Sequence, residues 1–145
     1  MRAVIQRVNQ GQVRVNNQIL ASIGMGLVIL LGIENEDTRE KADQLSRKIA
    51  ALRIFSDPQG KMNLSVRDIQ GGAIVVSQFT LMADTQKGNR PSFFKAAPPE
   101  IASPLVDYFI AAMEKEGVPT QSGEFAAHML VEIHNDGPVT ILLEA

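Results

Sequence analysis

Ser77-Gln78-Phe79-Thr80 closes an apolar run with two hydroxyls, an amide and a ring in four consecutive positions, and the chain's two histidines, His128 and His134, come much later with Asp136. A hydroxyl becomes a nucleophile when a base lies within hydrogen-bond reach and a third group orients that base. Ser77 or Thr80 with a histidine and Asp136 is therefore one candidate. No Gly-x-Ser-x-Gly elbow surrounds any serine, however, and Ser77 sits between Val76 and Gln78, so the strained turn that usually presents a catalytic serine is missing. His128, His134 and Asp136 share strand parity and would suit a metal if the strand ran unbroken, but turn residues begin at Asn135 and a catalytic zinc wants three convergent ligands. Exposed polar positions on an edge strand are the plainer reading. The backbone at Ser77–Thr80 offers more: a chain leaving a sheet exposes consecutive N–H groups, which can hold a developing oxyanion without a charged side chain. That would be ester hydrolysis without a protein nucleophile, with Thr80, for want of a visible base, left to positioning.

The second informative segment is Asn135-Asp136-Gly137-Pro138-Val139-Thr140, a Gly-Pro step inside a strand-like tail. X–Pro bonds are the ones most able to be cis, and glycine leaves empty the space a side chain would fill. A rigid backbone wedge here could tell mirror-image substrates apart by sterics; an ordinary trans turn is the plainer alternative. Lys87, Arg90 and Lys95 form the richest basic neighbourhood, on one Gly/Pro-containing loop after the Ser77 strand. Solvated loop charges are the plainer reading.

Around these segments the periodicities predict a scaffold. Val4, Gln6 and Val8 alternate with Ile5 and Arg7, and Val13 and Val15 alternate with polar residues, which indicates half-buried strands with Gly11 as the turn between them. Leu27 to Ile33 is an apolar run flanked by glycines, a strand covered on both faces and central in its sheet. Ala42, Leu45, Ile49 and Leu52 make one stripe of an amphipathic helix over Asp37–Arg53. Ser56 to Gly60 reads as a turn, and Gly71-Gly72 precedes a strand from Ala73 to Thr80. A second helix, Pro99–Glu116, carries the stripe Ala102, Leu105, Phe109 and Met113; Pro104 leaves its start open between Pro99 and Ser103. The tail Met129–Glu144 is expected to reverse at Asp136-Gly137, although Pro138 weakens an ordinary two-residue hairpin. The expected fold is one mixed α/β domain over residues 1–145, a compact, largely antiparallel sheet or barrel with about two packed helices.

Composition narrows the functions. Of 145 residues 45% are hydrophobic and 21% charged, as in an ordinary globular protein. There is no cysteine, which removes thiol catalysis, disulfides and thiolate metal sites. Charge interrupts the N-terminus too early for a signal peptide. The longest apolar stretch, Gly24 to Ile33, is far short of the ~20 residues a membrane helix needs, so a cytoplasmic protein is expected. A net charge of −2 argues against a broad nucleic-acid surface.

Five ordered blocks, Ile5-Gln6-Arg7-Val8, Arg53–Asp57 with Gly60–Leu64, Ser77–Thr80, Gly88–Phe93 and Asn135–Thr140, together resemble the D-aminoacyl-tRNA deacylase family, from Met1 to about Leu143. The resemblance implies a homodimer that hydrolyses the ester of D-aminoacyl-tRNA in proofreading, and of glycine mischarged on tRNA-Ala, with no cofactor, metal or membrane. It assigns the N–H groups of Phe79 and Thr80 to the ester carbonyl, and Ser77 and Gln78 to the terminal adenosine of the tRNA. It makes Gly137-Pro138 a cis wedge that enters the partner subunit's pocket, captures the α-amino group and excludes an L side chain, with Arg7 bracing it. Lys87 and Arg90 are the candidate tRNA contacts. His134, Pro98-Pro99 and Pro104 depart from the family pattern. Two alternatives stay open: a non-catalytic RNA-end-binding dimer of the same fold, and a small-molecule esterase using Ser77 or Thr80 with a histidine.

Overall fold

The computed structural model describes residues 1–145 as a mixed α/β domain whose sheet nearly closes into a barrel. Its strands are β1 (Arg2–Val15), β2 (Gln18–Ile23), β3 (Gly26–Gly32), β4 (Phe55–Ser56), β5 (Met62–Leu64), β6 (Gly72–Ser77), β7 (Thr120–Ser122) and β8 (Leu130–Glu144). Helices α1 (Arg39–Ala50) and α2 (Pro99–Lys115) are the crossovers that make β3–β6 and β6–β7 parallel, as strands joined through a helix can be. The other main-sheet pairs, β1 with β2, β3 and β8, are antiparallel. β3 is central, between β1 and β6, and its apolar run is buried on both faces as the sequence predicts.

Two sequence-based turns are corrected. Gly11 lies inside β1, opposite Ile23 and Ile133, and the turn falls instead at Asn16-Asn17, both with positive φ. Two left-handed central residues suit the right-handed twist of a two-residue hairpin, and asparagine tolerates that conformation. Nor does the tail reverse at Asp136-Gly137. β8 runs antiparallel to β1 on both sides of that dipeptide, with Thr140 opposite Gln6 and Asn135 opposite Val8. The residues from Asp136 to Val139 thus stand out of the ladder against Arg7 alone, an extended form of bulge.

A register shift between Val8 and Gln10 then swaps the faces of β1. Ala3 and Ile5 join the core under the helices, whereas Val13 joins a smaller cluster with Ala21, Ile74 and Val76. In the main core Ala42, Leu45 and Ile49 of α1 meet Ala102, Leu105, Phe109 and Met113 of α2 over Leu27, Ile29 and Leu31 of the sheet. Thr38 caps α1, its hydroxyl accepting from the Lys41 N–H. α2 starts at Pro99, the first-turn position that proline tolerates, and continues through Pro104, so Ser103 is not its cap. No helix is long and apolar enough to cross a membrane.

Candidate active site

The strand expected over Ala73–Thr80 ends at Ser77. Gln78 N–H still donates to the Leu31 carbonyl (2.8 Å), after which the chain tightens into a single 3-10 turn, Phe79–Met82. Leu81 N–H donates to the Gln78 carbonyl (3.2 Å) and Ala83 N–H to that of Thr80 (3.1 Å). The first amides of such a turn, here those of Phe79 and Thr80, have no acceptor inside it. The turn is held close to β3. A Cβ on Gly32 would lie 2.6 Å from Met82 Cε and 3.1 Å from the Gln78 carbonyl, so a side chain there would require Met82 to move and the turn to shift slightly away from β3. Arg2 Nη1 donates to the Leu81 carbonyl at 2.6 Å, and Gln78 Nε2 donates to the Thr80 hydroxyl.

This turn borders a cavity of about 610 Å³, lined mainly by apolar side chains together with Ser77, Gln78 and His128. Phe79 and Phe93 meet edge to face across its rim, 5.0 Å between centroids and 70° between planes, the geometry ring quadrupoles favour. Ser77, Gln78 and Phe79 line it directly; Thr80 sits one residue further along the turn. His128 is the one ionisable residue in the lining and hydrogen-bonds neither Ser77 nor Thr80. His134 is exposed on β8 opposite Gln10, and Asp136 is paired with Arg7. The three do not converge, and nowhere do three or more His, Asp or Glu side chains group as a metal site would require.

Arg7, Gly137 and Pro138 form a second group. The Gly137–Pro138 bond is cis and Gly137 has φ +124°. Arg7, only 8% exposed, lies beneath the loop: its Nε donates to the Asp136 carbonyl (3.0 Å) and pairs with the Asp136 carboxylate (3.2 Å), and its Nη1 donates to the Ile54 carbonyl at 2.6 Å. Asn135 Nδ2 closes the loop's base through the carbonyls of Arg7 (3.1 Å) and Val139 (2.9 Å). A Cβ on Gly137 would lie 2.8 Å from Arg7 Nη2. The loop residues are exposed, and neither Gly137 nor Pro138 lines the cavity of its own chain.

The Arg53–Leu64 block holds the acceptor that Arg7 uses. Arg53 donates to the Asn63 carbonyl (2.8 Å) and to its side-chain oxygen (3.0 Å), and Asn63 Nδ2 donates to Asp57 at 2.6 Å. That amide, with the Lys61 and Gln59 N–H groups, holds the Asp57 carboxyl below its ordinary range. Ile54 lies between these anchors. Lys87 and Arg90 are exposed on the loop between Asp84 and Ser92, which pair as a bridge; neither makes an ion pair nor lines the cavity.

Sequence reasoning gave no role to Phe93, Ala96 and Ala97, or to the segment Phe125–Met129, which line much of the cavity. Phe93 stood at the end of a recognised block. The Phe125–Met129 stretch has no local pattern of its own, and Ala126 within it has a left-handed φ of +61° that no residue type there signals.

Residues 4–144 match the model of the family described as D-Tyr-tRNA(Tyr) deacylase. A protein of Chloroflexus aurantiacus named D-aminoacyl-tRNA deacylase is 55% identical over all of this chain and 91% of its own length. A solved structure described as c-Myc DNA Unwinding Element Binding Protein superposes with a TM-score of 0.93 at 42% identity, over 100% of this chain and 99% of that one. Another, described as a probable eukaryotic D-amino acid tRNA deacylase, shares the fold with a TM-score of 0.82 at 18% identity, over 98% and 97% of the two chains.

Proposed function

The chain belongs to the D-Tyr-tRNA(Tyr) deacylase family, and on that premise we propose that it hydrolyses the ester between a D-amino acid and the terminal adenosine of tRNA. The observation that carries this reading is the cavity of about 610 Å³ opening beside a 3-10 turn whose first two amides have no acceptor within the turn. A carbonyl oxygen seated there would meet the Phe79 and Thr80 N–H groups as it gains charge, the preorganised stabilisation on which acyl transfer depends. Ser77 and Gln78 seat the adenosine. Water adds to the carbonyl carbon, the bond to the ribose oxygen breaks, and a proton passes to that oxygen, releasing amino acid and intact tRNA. The Thr80 hydroxyl accepts from Gln78 and has no base beside it, so the chain supplies no evident nucleophile; the ribose 2′-hydroxyl is assigned to assist the water, as the family resemblance implies.

Selection of the D hand is assigned to Gly137 and Pro138. Their loop stands out of β8, rests on Arg7 and has no room for a side chain at Gly137, which supports a rigid wedge. Because it does not line its own cavity, the wedge is proposed to enter the cavity of a second copy in a homodimer. Exclusion by sterics accepts many D-amino acids and also glycine, so glycyl-tRNA is a proposed substrate.

Two variants test the assignment. Thr80→Ala should keep kcat within about tenfold of wild type, since a positioning hydroxyl and not a nucleophile is lost. Gly137→Val should remove D-ester hydrolysis while the protein stays folded by circular dichroism. A second reading, hydrolysis by Ser77 with His128, draws on their shared place in the lining; it requires His128→Ala to be inactive, whereas the backbone mechanism leaves that variant active.

A further inference from the structure

Phe94 is 90% exposed, the most open of the large apolar side chains. Its backbone is nonetheless fixed. Asn35 Nδ2 donates to the Phe94 carbonyl (3.4 Å), Asn35 N–H to that of Lys95 (3.3 Å), and Ala97 N–H to that of Ile33 (2.9 Å), while Glu34 and Ala96 pair as a bridge. The strap from Phe93 to Ala97 is therefore a wall between two hollows. Phe93, Ala96 and Ala97 line the catalytic cavity, and Phe94 with Lys95 lines a neighbouring hollow of about 320 Å³. Burial does not explain a phenylalanine there, and an open ring on an ordered backbone is what a flat partner needs.

The substrate of the proposed reaction supplies such a partner. When the terminal adenosine occupies the cavity, the single strand preceding it has to cross the cavity's rim, and unpaired bases bind proteins chiefly by stacking on aromatic side chains beside cations that meet the phosphates. Lys87, Arg90 and Lys95 lie on the same loop and strap, and none makes an ion pair. The hollow itself also holds Glu34, Glu36 and Lys41, whose ammonium is committed to Asp37 at 3.1 Å. Its floor is thus unsuited to phosphate, and the attraction comes from the ring face with the phosphates turned toward Lys95 of the strap and Lys87 and Arg90 of the loop before it.

We propose that Phe94 is a stacking platform for an unpaired base of the tRNA 3′ strand adjoining the terminal adenosine; this rests on the deacylase reading. The test compares Phe94→Ala, Phe94→Trp and wild type on D-tyrosyl-tRNA and on D-tyrosyl-adenosine, which lacks the adjoining nucleotides. Phe94→Ala is expected to raise KM for the tRNA ester about tenfold with little change in kcat, to leave the adenosine ester unaffected, and Phe94→Trp to restore the tRNA value. Equal behaviour of Phe94→Ala and wild type on both esters would overturn the platform alone, as would equal losses on both. Dissociation of a dimer by Phe94→Ala in sedimentation would overturn it in favour of a second copy on the ring. Wild-type protein inert toward both D esters would overturn the deacylase reading and the platform with it.

Discussion

Arg7 brings a permanent charge into a site 8% exposed and shares it among the Asp136 carbonyl, the Asp136 carboxylate and the Ile54 carbonyl. A buried acceptor left without its donor costs roughly 1–3 kcal/mol. Arg7→Met is therefore expected to lower unfolding stability by about 1–3 kcal/mol, chiefly through the buried Ile54 carbonyl, since the Asp136 carbonyl lies on an exposed loop. Arg7→Lys keeps the charge but not the planar fork that reaches two directions at once. It should recover part of that stability while still loosening the Gly137 loop. Urea unfolding and the ratio of D- to L-ester hydrolysis measure the two effects separately. A Lys variant with wild-type selectivity would show that the brace has no part in discrimination.

Among the elements, the α1–α2 layer carries stability and the β4–β5 region carries the site's support. Phe109 is fully buried between helices and sheet, so Phe109→Ala should cost about 3–5 kcal/mol in urea unfolding with little change in rate per folded molecule. Asp57 acts in the support. Its carboxyl is held below its ordinary range first by Asn63 and then by the Lys61 and Gln59 amides. A depressed folded value means that its contribution is present above the unfolded Asp value near pH 4 and lost as pH falls through the folded one. Asp57→Asn should remove that part of the acid-side fall in stability, measured by unfolding across pH 2–6. The helices were legible from periodicity because one buried face dictates the spacing, and β3 from an unbroken apolar run because both its faces are buried. The tail was not: Asp136-Gly137-Pro138 is locally a turn, but ladder pairing with β1 on both sides makes it an excursion from one strand. Gly11 misled for the same reason. Ser77–Phe79 were legible because an apolar run ends there, whereas Phe125–Met129 owe their place to packing with residues distant in sequence.

For the molecule as a whole, the Gly137-Pro138 loop and the cavity it is proposed to enter are separate within one chain, and β8, paired only with β1, presents an unpaired edge with Leu130 and Leu142 exposed. Such edges invite a partner. Sedimentation is expected to give about twice the 15.8 kDa chain mass, and a wholly monomeric, active protein would require the wedge to act by another route. The net charge of −2 fits a substrate gripped at its end and not along its length. The most direct measurement is hydrolysis of D-tyrosyl-tRNA and L-tyrosyl-tRNA side by side with purified protein. Loss of the D ester with the L ester intact is the expected result; equal loss of both would contradict a chiral wedge, and stability of both would contradict ester hydrolysis altogether.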